Sequence, residues 1–305
     1  EYCQIYYKYS FLNNSHIQSP GYYLKSENII YLKIKKGKDI VAILSLLNRK
    51  FFLNIFKVAR LNSGPLIIKE FYEYRYYILL AILRFIKNKY TKLISFAPSS
   101  LYKDNKFIGS YNCFKLKYLP YKTYVLDLLN TEEYIFKNLR SNWRNSLRKS
   151  LKLTNVKKIN NLISIKMILT EYKNYAKELG FNPVSLEKCL SWSDNLINNK
   201  NLLNLKIYQA YNASNANESL GSIGILCFKD SALYLFGYTS KLGKKYQANY
   251  ALLWKGIIDQ KNNGINTFDL GGINEQKQVG IMKFKKGLGG DLEENLGEYF
   301  YFGYF

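Results

Sequence analysis

The order of the predicted elements restricts the fold more than any other feature, because the same succession occurs twice. In the first half, β-type runs precede a long apolar helix and a further strand, at residues 28–34, 40–48, 51–58, 70–90 and 93–96. In the second half, after a helix at 163–179, the succession recurs at 203–211, 222–228, 232–238, 249–263 and 267–270. This pattern predicts a repeated unit of antiparallel strands, a helix and one more strand.

A chain of 305 residues is long enough for two domains of ordinary size. We therefore predict an α/β (α+β) protein with domains at residues 1–153 and 154–305, each a mixed, mostly antiparallel sheet flanked by helices. The prediction leaves open that the last strand returns to the first domain. With 48% hydrophobic and 22% charged residues, the composition is that of a globular protein.

The positive charge of the chain indicates its partners. The 45 Lys and Arg residues outnumber the 22 Asp and Glu residues, which gives a formal charge of +23. Such a charge favours nucleic acid, an anionic lipid surface or phosphorylated substrates. The alternative explanation is a general enrichment in Lys, Asn and Ile without functional meaning. No apolar run approaches bilayer length and the start does not have the form of a signal peptide, so we expect a cytoplasmic protein, with peripheral association with the inner membrane face left open.

The strongest candidate for an active site is the segment 268–290. A short apolar strand ends in Gly271 and Gly272, and a lysine cluster bounded by glycines follows at residues 280–290. Paired glycines allow a ligand to approach the backbone closely, and lysines supply positive charge to phosphates. We interpret this segment as the floor of a site for a phosphorylated substrate.

A helix predicted within residues 131–158 is the second candidate, because two series recur on it every four residues. The apolar series is Leu139, Trp143, Leu147 and Leu151, and the basic series is Arg140, Arg144, Arg148 and Lys152. On a helix each series forms one stripe, so we predict that the apolar stripe is buried and that the basic stripe faces phosphate groups. The alternative role, a favourable interaction with the helix dipole, accounts only for the last turn.

Cysteine and histidine give no predicted metal site. The four cysteines are far apart and form no CxxC pair, which is typical of free thiols in a reducing compartment. The single histidine, His16, cannot form a zinc site without close Cys or carboxylate partners. We predict no metal.

Four segments in chain order resemble the Fem family of peptidoglycan-bridge aminoacyltransferases. They are 60–66 (RLNSGPL), 144–149 (RNSLRK), 234–237 (YLFG) with 249–254 (NYALLW), and 268–272 (FDLGG) with 284–287 (FKKG). The resemblance covers nearly the whole chain, and the last motif is its most specific part. It implies two tandem GNAT-like domains of the compact kind that lacks a coiled-coil arm.

The resemblance implies transfer of an amino acid from aminoacyl-tRNA to a free amine of a peptidoglycan precursor's peptide stem. Lys285 is then the catalytic candidate, because a fixed cation stabilises the charge that develops on the ester carbonyl oxygen. The substrate-binding candidates are Phe284, Gly271, Gly272, Asp269, Lys25, Tyr22, Tyr238 and Asn249, and those for tRNA or phosphate are Arg140, Arg144, Arg148 and Lys152. Aminoacyl-tRNA is a co-substrate, so no bound cofactor is expected.

Three residues depart from the family's pattern. The residue before Pro98, often acidic in the family, is Ala97, so a general base is absent there. Tyr22 replaces a Trp, and Lys25 is displaced by one residue. We expect little base catalysis, because the ester of aminoacyl-tRNA is already activated and orientation of the amine suffices.

Three alternatives stay open. A GNAT-type N-acyltransferase would use acyl-CoA on a sugar or peptide amine, although the loop at 240–249 has one glycine where acyl-CoA loops usually have two. A non-catalytic RNA-binding protein would use its Tyr and Phe residues as stacking platforms. A third alternative keeps the tRNA donor but changes the acceptor to a lipid head group or a small peptide product, because pocket shape selects the acceptor.

Overall fold

The computed structural model describes residues 1–13, 15–24, 27–51, 56–99, 102, 113–116, 120–198, 203–276 and 278–302. The chain divides into a first unit, Glu1–Lys122 with Glu294–Phe305, and a second unit, Thr123–Glu293. Each unit is built around one sheet flanked by helices. Residues 123–153, predicted to belong to the first domain, lie in the second unit.

The first unit contains a mixed sheet. Its elements are α1 Tyr2–Lys8, β1 Ile29–Lys36, β2 Asp39–Phe51, β3 Phe56–Asn62, β4 Leu66–Ile67, α2 Arg75–Lys89, β5 Leu93–Ala97, β6 Cys113–Lys115 and β14 Tyr299–Tyr301. The strand order is β1-β2-β3-β5-β14-β6, and β4 pairs with β2. β3 and β5 run parallel, whereas β1 and β2 form the predicted antiparallel hairpin around Gly37, whose φ is 62°.

The core of the first unit lies on both faces of β2. Residues 41–47 are all buried, which is typical of a central strand covered on both sides. Ala42, Leu44 and Leu46 pack in the same cluster as the inner face of α2, whereas Ile43 packs with α1. This alternation follows from the two-residue period of a strand.

The second unit contains the other sheet. Its elements are β7 Lys122–Asp127, α3 Glu132–Asn138, α4 Ser141–Leu153, β8 Thr154–Ile159, α5 Leu162–Glu178, α6 Leu186–Asn198, β9 Asn204–Asn212, β10 Asn215–Phe228, β11 Ser231–Thr239, α7 Lys241–Lys245, α8 Ala248–Asn262, β12 Thr267–Asp269, α9 Val279–Lys286 and β13 Asp291–Glu294. The order is β13-β7-β12-β11-β10-β9-β8. β11 and β12 run parallel and are connected through α8, which is the crossover that a parallel pair requires.

Two long-range strand pairings explain why the units do not divide at residue 153. β7 pairs antiparallel with β12, so the chain joins the second sheet about thirty residues earlier than predicted. β14 lies between β5 and β6 of the first sheet, so the last strand returns to the first unit. Neither pairing has a local signal in the sequence.

The predicted basic helix is divided into α3 and α4, with Leu139 and Arg140 extended between them. Trp143 and Leu147 are buried as predicted, but Leu151 is 53% exposed, and Ser150 is buried instead. The prediction for Leu151 is wrong because a four-residue step advances by about 40° on a helix with 3.6 residues per turn, so the series drifts away from the core. Ser150, seven residues after Trp143, returns to the same face.

Candidate active site

The candidate site lies where β11 and β12 stop pairing. The parallel register ends at Leu233 opposite Asp269, after which β11 continues and the chain leaves β12 through Leu270, Gly271 and Gly272. α9 follows and brings Lys285 to these glycines. The carboxyl end of a parallel pair is a usual place for a ligand site in mixed α/β folds.

Lys285 is a buried lysine held by backbone carbonyls. Only 6% of its surface is exposed. Its ammonium donates hydrogen bonds to the Gly271 oxygen at 3.0 Å and the Gly272 oxygen at 2.8 Å, and lies 5.6 Å from the centroid of the Tyr234 ring. Burial lowers the pKa of Lys285 to about 8, and the Asp269 carboxylate opposes this shift. The two carbonyls account for two of the three donors of an ammonium.

Asp269 holds the backbone to which Lys285 is bound. Its Oδ1 accepts a hydrogen bond from the Gly271 amide at 2.7 Å, and the Thr123 hydroxyl on β7 also donates to it. Burial raises the pKa of Asp269, while the hydrogen bonds from Thr123 and Gly271 and the nearby Lys285 lower it. Asp269 therefore acts on Lys285 mainly by fixing the turn.

Gly271 is required by the backbone geometry of this turn. Its φ is 74°, a conformation that favours glycine, and an added Cβ would lie 2.7 Å from the Tyr234 carbonyl oxygen and 3.5 Å from the Lys285 Nζ. Gly271 is therefore required for close packing against the backbone of β11. Gly272, by contrast, is exposed.

Phe284 fixes α9 against its neighbours. Its ring lies 5.0 Å from that of Tyr250 on α8 and 5.8 Å from that of Trp143 on α4. The Trp143 Nε1 donates to the Phe284 carbonyl at 3.1 Å. The Phe284 ring thus belongs to an aromatic cluster that positions the helix of Lys285.

The other predicted substrate-binding residues lie elsewhere. Tyr238 on β11 donates to the Glu171 carboxylate, and burial raises its pKa. Asn249 is half-buried in the first turn of α8. Tyr22 is in the first unit, with its ring 5.6 Å from His16 and 5.0 Å from Tyr23. Lys25 lies outside the described residues.

The four basic residues predicted to face phosphates have different environments. Arg144 donates from Nη1 to the carbonyl oxygens of Lys137, at 2.7 Å, and Leu139, so it satisfies the C-terminal end of α3. Arg140 is exposed as the N-cap of α4. Arg148 and Lys152 are exposed, and the Arg148 guanidinium lies 5.6 Å from the Phe136 ring centroid. Arg140, Arg148 and Lys152 therefore present charge to solvent.

The first unit contains a cavity that the sequence patterns do not reveal. Its volume is about 480 Å³, and its lining residues are Arg49, Val58, Arg60, Ser95, Leu116, Glu298 and Phe300. Glu298 Oε1 accepts a hydrogen bond from the Ser95 hydroxyl at 2.5 Å and lies 3.2 Å from the Arg60 guanidinium. β14 begins with Tyr299 opposite Phe96, so Glu298 comes one residue before this pair and Ala97, the position where an acid is absent, one residue after it. Glu298 is 203 residues from Ser95 in sequence, so no local pattern connects the two residues. The only sequence signal for this cavity was Arg60, the Arg of the Gly-Pro turn motif.

Within the described ranges, no group of three or more His, Cys, Asp or Glu residues is arranged to hold a metal ion. The helices in the same part of the chain are too short or too polar to cross a bilayer.

One family model and several solved structures are similar to this chain. Residues 191–302 match the model of the FemAB family. The structure of FemX is similar, with a TM-score of 0.80 and 14% identity over 98% of this chain and 95% of that chain. L-PGS from Bacillus licheniformis is similar with a TM-score of 0.59 and 13% identity, over 98% of this chain and 90% of that chain. A tandem GNAT protein from the clavulanic acid biosynthesis pathway is similar with a TM-score of 0.55 and 8% identity, over 91% of this chain and 84% of that chain. Curated proteins gave no match.

These likenesses show a fold with two tandem GNAT-like units, as predicted. The match over residues 191–302 includes β11, both glycines, α9 and β14. It confirms the predicted resemblance to the Fem family.

The lowered pKa of Lys285 predicts a pH dependence of stability. Since the folded-state pKa of about 8 lies below the ordinary value of 10.5, the unfolded chain binds more protons between these values, and folding stability rises with pH there. Relative to Lys285→Met, we expect the free energy of unfolding of the wild type to increase by roughly 2 to 3 kcal/mol from pH 8 to 10. Urea titrations of both proteins measure this difference, and parallel pH profiles would contradict the prediction.

Proposed function

We propose that the protein transfers an aminoacyl group from aminoacyl-tRNA to the free amine of a peptidoglycan precursor's peptide stem. The observation that carries the proposal is the buried Lys285 ammonium at the end of the β11–β12 pair, within the segment that matches the FemAB family. The donor ester would lie against the exposed Gly272 with its carbonyl oxygen toward Lys285.

Lys285 would stabilise the charge of the reaction without covalent chemistry. The acceptor amine attacks the ester carbonyl carbon, and the new C–N bond forms as charge develops on the carbonyl oxygen. The C–O bond to the ribose then breaks, and the proton lost by the amine finally resides on the released ribose hydroxyl. A cation fixed by the Gly271 and Gly272 carbonyls needs little reorganisation during these steps.

Glu298 would bind and deprotonate the acceptor amine. A peptide amine is protonated near neutral pH and must lose a proton before it attacks. The Glu298 carboxylate lines the 480 Å³ cavity and is oriented by Ser95 and Arg60, so it can bind the ammonium and accept its proton. Arg49, in the same cavity, can bind a carboxylate of the peptide stem.

The outward face of α4 would bind the tRNA. Arg148, Lys149 and Lys152 are exposed, and α4 has no acidic residue. Such a surface binds phosphate backbones without sequence preference. Arg144 is assigned a structural role in this proposal, because its guanidinium is used at the end of α3.

The alternative acyl-CoA donor receives little support from the loop that would hold its pyrophosphate. Gly243 is there for packing, since an added Cβ would lie 1.9 Å from the Leu220 carbonyl oxygen. The amides of Gly243, Lys244 and Tyr246 donate to Ser240 and Leu242. A phosphate would have to displace these hydrogen bonds. Release of free CoA from acetyl-CoA with an amine acceptor would favour this alternative.

The first test of the reaction uses charged total tRNA and a peptidoglycan precursor, with the added mass as the readout. Lys285→Met should reduce kcat by about 10²- to 10³-fold, because it removes the fixed cation. Lys286→Met on the same helix is the matched control, since Lys286 is exposed, and it should retain activity. Equal activities of the two variants would remove Lys285 from the mechanism.

Glu298→Gln should lower the transfer rate by roughly a hundredfold near neutral pH, because the acceptor amine loses its proton acceptor. The deficit should shrink as pH rises toward the pKa of the amine, where the free base is abundant. Glu294→Gln, in the same terminal segment and ion-paired with Lys122, is the control. A deficit that does not change with pH would assign Glu298 a purely structural role.

The double change Arg148→Glu and Lys152→Glu should weaken tRNA binding by at least about tenfold and reduce its salt dependence, because phosphate contacts are lost. Lys166→Glu with Lys173→Glu, two exposed positions on α5, is the charge-matched control. Binding is measured by fluorescence anisotropy at several salt concentrations. Equal losses in both double variants would show that only net charge matters.

A further inference from the structure

The outer face of α2 has an unusual composition for a helix on a sheet. Its inner face, Ile78, Ile82 and Ile86, is buried in the core of the first unit. The exposed side of the helix carries Tyr77, Ala81 and Phe85 at four-residue spacing, and Tyr74 lies at the N-cap just before them. We call these four residues the outer stripe.

The outer stripe exposes large aromatic surface. Tyr77 is 70% exposed, Tyr74 is 47% exposed and Phe85 is 42% exposed. The solvent face of such a helix ordinarily carries charged and polar residues. Aromatic side chains grouped on one exposed face mark a surface that binds a partner.

Cations surround the outer stripe. The Lys36 Nζ lies 4.1 Å from the centroid of the Tyr74 ring, and the Lys89 Nζ lies 5.4 Å from that of Phe85. Arg84 is exposed next to Phe85. The sequence contains no Asp or Glu from residue 74 to residue 102. Glu70 and Glu73 lie just before the stripe, so the basic character is strongest toward the C-terminal end of α2.

This combination selects one kind of partner. Tyrosine places an apolar ring and a polar hydroxyl at the boundary between head groups and acyl chains, and lysine and arginine extend their charges to the head groups. An amphipathic helix with aromatic residues and flanking cations binds in the plane of an anionic membrane surface. A protein partner would have to supply acids to three separate cations around the aromatic rings.

We propose that the outer stripe docks the first unit on an anionic lipid surface, with Tyr77 and Phe85 at the head-group boundary and Lys36, Arg84 and Lys89 on anionic head groups. The contact is peripheral, because α2 lies with its inner face in the core. The proposal uses no residue assigned to the transfer reaction and stands independently of it.

The test is co-sedimentation of the full chain with vesicles of phosphatidylcholine alone or mixed with phosphatidylglycerol. We expect binding only to the mixed vesicles and release by high salt. The change Tyr77→Ser with Phe85→Ser should weaken binding by at least about tenfold, and Arg84→Glu with Lys89→Glu should have a similar effect. Tyr134→Ser with Ile163→Ser, exposed apolar residues of the second unit, is the control and should bind like the wild type.

Three outcomes would overturn the proposal: no binding to the mixed vesicles, equal binding to both vesicle types, or unchanged binding by the Tyr77/Phe85 variant. A wild-type dimer that this variant converts to a monomer would also overturn it, because the stripe would then bind a second copy. Circular dichroism checks that the variants fold. Transfer to a soluble acceptor, measured on the same samples, separates a failure of lipid docking from a failure of the proposed reaction.

Discussion

The contact between the Lys285 ammonium and two consecutive backbone carbonyls is the interaction on which the candidate site depends. A buried charge is unfavourable unless polar groups satisfy it, and here Gly271 and Gly272 supply that compensation. The carbonyls can face the lysine only because Gly271 adopts a left-handed conformation and Asp269 binds its amide. A short stretch of backbone thereby holds a cation next to an exposed glycine.

The second unit connects this cation to the proposed tRNA surface. Trp143 lies on the inner side of α4, donates to the carbonyl of Phe284 and packs with its ring. The same helix presents Arg148 and Lys152 on its other side. In the proposed reaction one helix would therefore contact the body of the tRNA while it fixes the helix that bears the lysine, so that binding and positioning of the donor would depend on the same element.

Local patterns in the sequence predicted what local forces determine. The hairpin at Gly37, the apolar helix α2 and the strand, helix and strand order around α8 follow from turn chemistry and hydrophobic period, and these elements are present. The extended break at Leu139 and Arg140 escaped prediction because both residues are compatible with a helix. The cavity around Glu298 escaped prediction because that carboxylate reaches its partners through a pairing of strands distant in sequence. The exposure of Leu151 was missed because four-residue spacing was taken as one face, although each such step advances around the helix.

The position of β14 has a consequence for how the chain matures. This strand separates β5 from β6, although it follows the entire second unit in sequence. During synthesis the second unit can therefore acquire all its strands while β5 and β6 of the first sheet still lack the strand that joins them. The first sheet is therefore completed last, and until then the unpaired edge of β5 is open to pairing with other chains.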